Sequence, residues 1–246
     1  MSIASRIKNK IALLDRTRSI PMADRSAIAS FTFDDFPVSS VDVGAKIIEE
    51  RGERATFFAC AEFLGKHVDG LDYYTEEHLR SLRDSGHEIG CHSFRHIHHS
   101  KLSEAEIRNY LRQNRALLQD ILGKDYILTS FAYPFGDVSL TAKSVASKEY
   151  AICRGVYPDI NTKRMDMAQL NSVGIYKKDW DEGVILRAIE RALELKSWII
   201  FTTHDVSDDC TAYGCTAQML EWTLETVQDA GIPIKTCRSG AAHFAF

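Results

Sequence analysis

Short apolar runs and amphipathic stretches alternate along almost the whole chain. Ala27–Phe33, Arg54–Cys60, His87–Cys91, Ile127–Ala132, Tyr150–Cys153, Leu170–Ile175, Trp198–Thr203 and Ile232–Lys235 read as strands. Such runs suit parallel strands covered on both faces. Between them, helices are predicted for Val41–Arg51, Thr75–Ser85, Ser139–Lys148, Asp181–Lys196 and Thr216–Ala230. A further long helix opens on the capping box Ser103-Glu104-Ala105-Glu106 and runs to Leu122, closed by Gly123. Residues 4–17 form an amphipathic helix with apolar Ile7, Ile11, Leu13 and Leu14. Seven or eight strand–helix alternations with short connections predict a parallel barrel or a doubly wound sheet. The barrel is favoured because polar residues collect at the ends of several strands: Asp34 and Asp35, His92 and His96, Tyr133 to Gly136, and His204. Barrel closure brings such ends to one face. Residues 1–25 read as a helical extension and 26–246 as the main domain.

Composition narrows the partners. The chain has 246 residues, 45% of them hydrophobic, and a net charge of −4. That charge offers no footprint for nucleic acid or an anionic membrane. No apolar run reaches membrane-spanning length. The N-terminus lacks the apolar core and small-residue cleavage site of a secretory signal, so a cytoplasmic location is expected. The six cysteines lack zinc-finger spacing. Four sit in apolar contexts, and Cys210 and Cys215, five apart in a polar loop, have the spacing for a local disulfide, although a reducing cytosol argues against a permanent one.

Three places carry candidate chemistry. The strand Ile28–Phe33 runs into Asp34-Asp35-Phe36-Pro37. Adjacent carboxylates there serve equally as a helix-capping turn or as site residues at a strand's carboxyl end. In His92-Ser93-Phe94-Arg95-His96 the two histidines share a face if the segment makes a helical turn. With His98 and His99 beside them, a solvated histidine-rich loop is the plainer reading. Two imidazoles and one carboxylate, from Asp34 or Asp35, would hold a catalytic metal and leave a position open for water. The second aspartate is then free to act as base. His204, after an apolar strand, is either a packing residue or an acid for a leaving group.

At these residues the chain resembles the polysaccharide deacetylases, the NodB-homology domain of carbohydrate esterase family 4. Thr32-Phe33-Asp34-Asp35 is similar to the first family motif, His92-Ser93-Phe94-Arg95-His96 to the second, and His204 to the last. The resemblance covers about residues 26–236. It implies a distorted (β/α) barrel with about seven parallel strands, and hydrolysis of N-acetyl groups on an amino sugar or polysaccharide. It implies one divalent ion, most often zinc, on Asp35, His92 and His96, with Asp34 as base and His204 as acid. Tyr133-Pro134-Phe135-Gly136 is similar to the third motif, where the backbone N–H of Phe135 would help hold the oxyanion, and Trp180 belongs to the half-present fourth motif. Phe36, Tyr133, Phe135, Trp180 and Tyr213 are aromatics for stacking on sugar rings, and the loop Asp205–Cys215 borders the substrate. The sequence departs from the family at two points: Ala132 stands for the arginine that orients the base, and Tyr176 for the aspartate that tunes the histidine. Asp205 is a possible substitute for the latter. Two rival readings are an amidohydrolase of small cyclic amides or ureides and a silent sugar-binding module.

Overall fold

The computed structural model of the chain describes residues 3–16, 18–21, 26–162 and 164–245. One parallel sheet contains β1 (Ile28–Asp34), β2 (Thr56–Ala59), β3 (Glu88–Cys91), β4 (Ser130–Ala132), β5 (Ile152–Arg154), β6 (Val173–Gly174) and β7 (Trp198–Thr203). Their order across the sheet is β6-β7-β1-β2-β3-β4-β5, so the curled sheet has its seam between β5 and β6. The chain entering β6 narrows that seam: the Gly155 N–H donates to the Leu170 carbonyl, and the Leu170 N–H to that of Cys153, both at 2.8 Å. This is the distorted (β/α) barrel expected.

Strand alternation sorts residues between two layers. Every residue of β1 and β7 is buried. Ala29, Phe31 and Phe33, with Ile199 and Phe201, join the large core under the surrounding helices. Ile28, Trp198, Ile200, Phe58, Ala132 and Ile152 form a second apolar cluster inside the barrel. The inward set on β1, continued from Ile28 through Ser30 and Thr32, ends at Asp34. Alternation thus delivers an aspartate to the top of the barrel interior. Gly90 of β3 admits the Phe58 ring, whose atoms would stand 2.6 Å from any Cβ added there.

The outer elements are α1 (Ile3–Leu14), α2 (Lys46–Glu50, entered through a π-helical turn over Ser40–Ala45), α3 (Glu76–Asp84), α4 (Glu104–Leu122), α5 (Leu140–Glu149), α6 (Glu182–Glu194), α7 (Ala217–Asp229) and α8 (Cys237–Ala245). The Ser103–Glu106 capping box forms as read. The buried ammonium of Lys143 on α5 reaches the Ala12 carbonyl at 2.5 Å, the Asp15 carbonyl, and the Asp166 carboxylate at 2.5 Å. It therefore caps the end of α1. Ser19–Pro21 pairs antiparallel with Arg164–Asp166. The end of the predicted first helix, Thr17, and the expected division at 25 lie outside the described residues.

One expectation is corrected. Ile232–Lys235 is no strand but a single bridge from Ile234 to Ala29, with Pro233 unable to donate to a ladder. Cys210 and Cys215 are both free, as are the other four cysteines, and all six are buried. No helix among the described residues is long and apolar enough to cross a membrane.

The unforeseen α8 lies across the lower end of the barrel. There buried Glu88 accepts from the Thr56 hydroxyl (3.0 Å), the Ser130 hydroxyl (2.7 Å) and the Arg238 N–H in the first turn of α8 (2.8 Å). A carboxyl group at a helix N-terminus satisfies donors that the helix leaves open. Glu88→Ala strands three donors and is expected to cost about 3 kcal/mol, read as a lower urea midpoint; an unchanged midpoint would show that the plug contributes nothing. His99 is fully buried against Phe131 and shares a 3.1 Å hydrogen bond with Ser93. Burial takes its pKa from 6.5 down to about 4. Its stabilising contribution is therefore complete above pH 6.5 and is lost as pH falls toward 4, at up to about 1.4 kcal/mol per unit. Urea midpoints measured across that window should slope less in His99→Gln than in wild type; equal slopes would refute this.

Candidate metal centre

One aspartate and two histidine side chains, from the ends of two strands, meet at the upper end of the barrel. Ligand atoms of Asp35, His92 and His96 all lie within 4.8 Å of one another. His96 Nε2 is 3.1 Å and His92 Nε2 3.6 Å from the Asp35 carboxylate. Asp34 sits beside them.

A local distortion makes the double aspartate serve one pocket. Consecutive strand residues point to opposite faces. Here Asp35 takes φ 54°, and the Phe36 N–H reaches back to the Asp34 carbonyl at 2.5 Å. This tight turn, strained for a non-glycine residue, brings the second carboxylate round to the mouth.

His92 follows β3. Its Nδ1 lies 2.8 Å from the Ala132 carbonyl; a carbonyl only accepts, so Nδ1 carries the proton and Nε2 presents its lone pair. His96 arrives from a loop, not from the helical turn that would also have put it beside His92. Residues 92–96 are loop, with Ser93 at φ 71°. Glu62 accepts the His96 N–H at 2.7 Å, and the His96 ring packs 4.1 Å from that of Phe135.

Electrostatics separate the two aspartates. Burial alone would raise the pKa of Asp34, but the guanidinium of Arg154, with His92 and His204, holds it below 3.8. Asp35 is pushed well above that value by burial and by the charge of Asp34. Its Oδ1 is buried without a hydrogen-bond partner. Burial holds His92 down to about 3 and His96 to about 4, so both imidazoles are neutral, the form that binds metal. A carboxylate oxygen lacking a partner beside two neutral imidazoles is a donor set that fits a divalent ion.

Arg154 is the residue that the sequence reading missed. It is fully buried at the end of β5, and its Nη2 donates to both oxygens of Asp34, 120 positions away. The strand was read as stopping at Cys153. An arginine two places beyond inward-facing Ile152 was the available signal, but only barrel closure shows what it faces.

Around His204 the expectations shift. Its Nδ1 donates to the Tyr213 carbonyl at 3.2 Å, and burial lowers its pKa. Asp205, the possible substitute for the fourth-motif aspartate, makes its hydrogen bonds within its own loop, while its charge acts to raise the pKa of His204. Its carboxylate takes the Thr211 N–H at 2.7 Å and the Thr211 hydroxyl at 2.6 Å, and thereby holds the loop that presents Tyr213. Gly214 is needed there, since a Cβ would strike the Asp205 carboxylate. Tyr176 lies over Gly174, with its ring 6.0 Å from that of His204.

The aromatics divide. Phe135, at φ 58°, is half exposed between His96 and His98, and Tyr213 is also half exposed. Tyr133 is fully buried, with its hydroxyl on the Ala168 carbonyl at 2.9 Å, and Pro134 is buried beside it. Phe36 stacks on Tyr74 in the core, and Trp180 packs edge-on against Trp222 of α7. Tyr133 and Phe36 leave no side-chain surface for a sugar.

Comparison with known proteins gives this arrangement a family. The polysaccharide deacetylase model matches residues 23–150. The chain is 30% identical over 121 residues to a peptidoglycan-N-acetylglucosamine deacetylase, PgdA, of Listeria monocytogenes serotype 1/2a, a match spanning 49% of this chain and only 24% of that protein. Among solved structures, the Bc1960 peptidoglycan N-acetylglucosamine deacetylase aligns with a TM-score of 0.64 at 16% identity, over 90% of this chain and 91% of that one. A family 4 acetyl xylan esterase from Clostridium thermocellum, holding cobalt, aligns at 0.61 with 20% identity, over 86% and 89%. At such identities the structural likeness speaks for the fold. The matched segment contains Asp34, Asp35, His92 and His96, and the chain belongs to the polysaccharide deacetylase family.

Proposed function

We propose that this chain is a metal-dependent hydrolase that removes the N-acetyl group from an acetylated amino sugar, alone or within a polysaccharide. The observation that carries this reading is the contrast between two adjacent aspartates: Asp35, with an unpartnered oxygen among two neutral histidines, and Asp34, paired with a cation. Asp35, His92 and His96 would hold the ion, and their nitrogen and carboxylate donors suit zinc. When bound, the ion supplies Lewis acidity, polarising an acetamide carbonyl and acidifying water toward neutral pH. Asp34, ionised through its arginine, takes the proton of the attacking water. The Phe135 N–H donates to the oxygen on which negative charge builds. His204, held by Tyr213 through its Nδ1–H, takes up at Nε2 the proton that Asp34 has drawn from the water and gives it to the departing nitrogen, which leaves both groups as they began. The water oxygen joins the acetyl carbon, the carbon–nitrogen bond breaks, and acetate and a free amine leave. The half-exposed rings of Phe135 and Tyr213 offer stacking faces for the sugar. Of the two motif departures behind the silent sugar-binding reading, the missing arginine and the missing fourth-motif aspartate, the contact of Arg154 with Asp34 weighs against the first, and no observation favours a cyclic amide over a sugar.

Wild-type protein supplied with zinc is expected to carry about one ion per chain, and Asp35→Asn and His92→Gln are expected to lose it. Metal analysis after dialysis reads this; ions retained in both variants would contradict the ligand set. Asp34→Asn should keep its ion while acetate release from N-acetylglucosamine oligomers falls about 10²- to 10⁴-fold. Undiminished release would remove Asp34 as the base, and ring opening of a cyclic amide without acetate release from sugars would favour the rival amidohydrolase.

A further inference from the structure

We propose that Arg154 is the positioning residue for the catalytic base, doing from β5 what the family's third-motif arginine does from the position of Ala132. This rests on reading Asp34 as the base. Three observations carry it. Ala132 and Arg154 are register partners across β4 and β5. Partners in adjacent parallel strands share a face, so both side chains point into the barrel at one height, a single strand spacing of about 4.8 Å apart. Second, the guanidinium is wholly buried and lies 5.2 Å above the Phe58 ring, and Phe58 is the register partner of Asp34. Third, Nη2 contacts both Asp34 oxygens, while Nη1 is fixed on the Gly155 carbonyl at 3.0 Å.

The contact sets more than charge. A guanidinium anchored at one nitrogen and donating from another fixes the carboxylate in orientation as well as in place. Asp34 needs that support because the tight turn at Asp35 begins at its own carbonyl. β1 and β5 are separated by three strands within the sheet, so only the curled barrel lets the arginine reach across. Ala132 contributes by being small: it leaves the interior beside Arg154 open and keeps its carbonyl for His92. The orienting guanidinium has moved sideways by one strand without changing its height in the barrel.

The test uses the full chain loaded with zinc and three variants: Arg154→Gln, Arg154→Lys and the exchange Ala132→Arg/Arg154→Gln. Glutamine keeps a neutral donor near Asp34, and lysine keeps the charge without the fork. Arg154→Gln is expected to retain one ion per chain and to lose about 10²-fold in kcat with little change in KM. Arg154→Lys should fall between it and wild type, and the exchange should recover activity over Arg154→Gln. Crystals of Arg154→Gln should show the Asp34 carboxylate turned from its wild-type place. A metal-loaded Arg154→Gln with unmoved Asp34 and wild-type kcat would overturn the proposal, as would an exchange variant no faster than Arg154→Gln. Wild-type protein that releases no acetate would instead overturn the reading of the site itself, whereas an active wild type matched by Arg154→Gln removes only the role of Arg154.

Discussion

Two neighbouring carboxylates buried in one pocket repel each other and lose the water that would screen them. At Asp34 and Asp35 this cost is resolved unequally. One carboxylate receives a guanidinium from the opposite side of the barrel. The other keeps an oxygen without a partner, next to two neutral imidazoles. The rest of the upper barrel follows from this division. β1 must end where its inward face meets Arg154. The turn at Asp35 must be left-handed. The loop after β3 must bend at Ser93 so that His96 reaches the same point as His92.

The two ends of the barrel use buried polar groups for different ends. At the lower end Glu88 is satisfied by two hydroxyls and a helix N–H, a closed network suited to stability. At the upper end Asp35 stays unsatisfied and His96 is only partly covered. An incomplete network is costly in a resting fold, and it is tolerated where a ligand completes it. The same contrast separates Asp205 from Asp34. Asp205 spends both carboxylate oxygens on Thr211 of its own loop, whereas Asp34 faces the pocket.

Much of this was legible in the residues. Apolar runs and caps located the strands and most helices, since burial on both faces leaves a continuous signature. Asp34-Asp35 and His92-x-x-x-His96 were recognisable because their spacing is local. Arg154 was not, because its partner is 120 residues away and only barrel closure brings them together. The direction of Asp205 was left open because a side chain's orientation at a strand end depends on the loop it meets. Between a helical turn and a loop at 92–96 the sequence did not decide; the structure has a loop whose ends still bring both histidines to one point. Tyr133 and Phe36 look exposed in sequence because they flank a motif, yet a carbonyl for one and an aromatic stack for the other draw them inward. α8 was missed because Cys237–Ala245 is short and small-residue-rich.

The central claim is that adjacent aspartates hold different partners. Anomalous diffraction at the zinc edge, from crystals of the full chain grown with zinc, tests it most directly. One peak at bonding distance from Asp35, His92 Nε2 and His96 Nε2, with Asp34 still on Arg154 and outside the coordination sphere, is the predicted result. A peak bonded to Asp34, or zinc bound away from the two histidines, would contradict it.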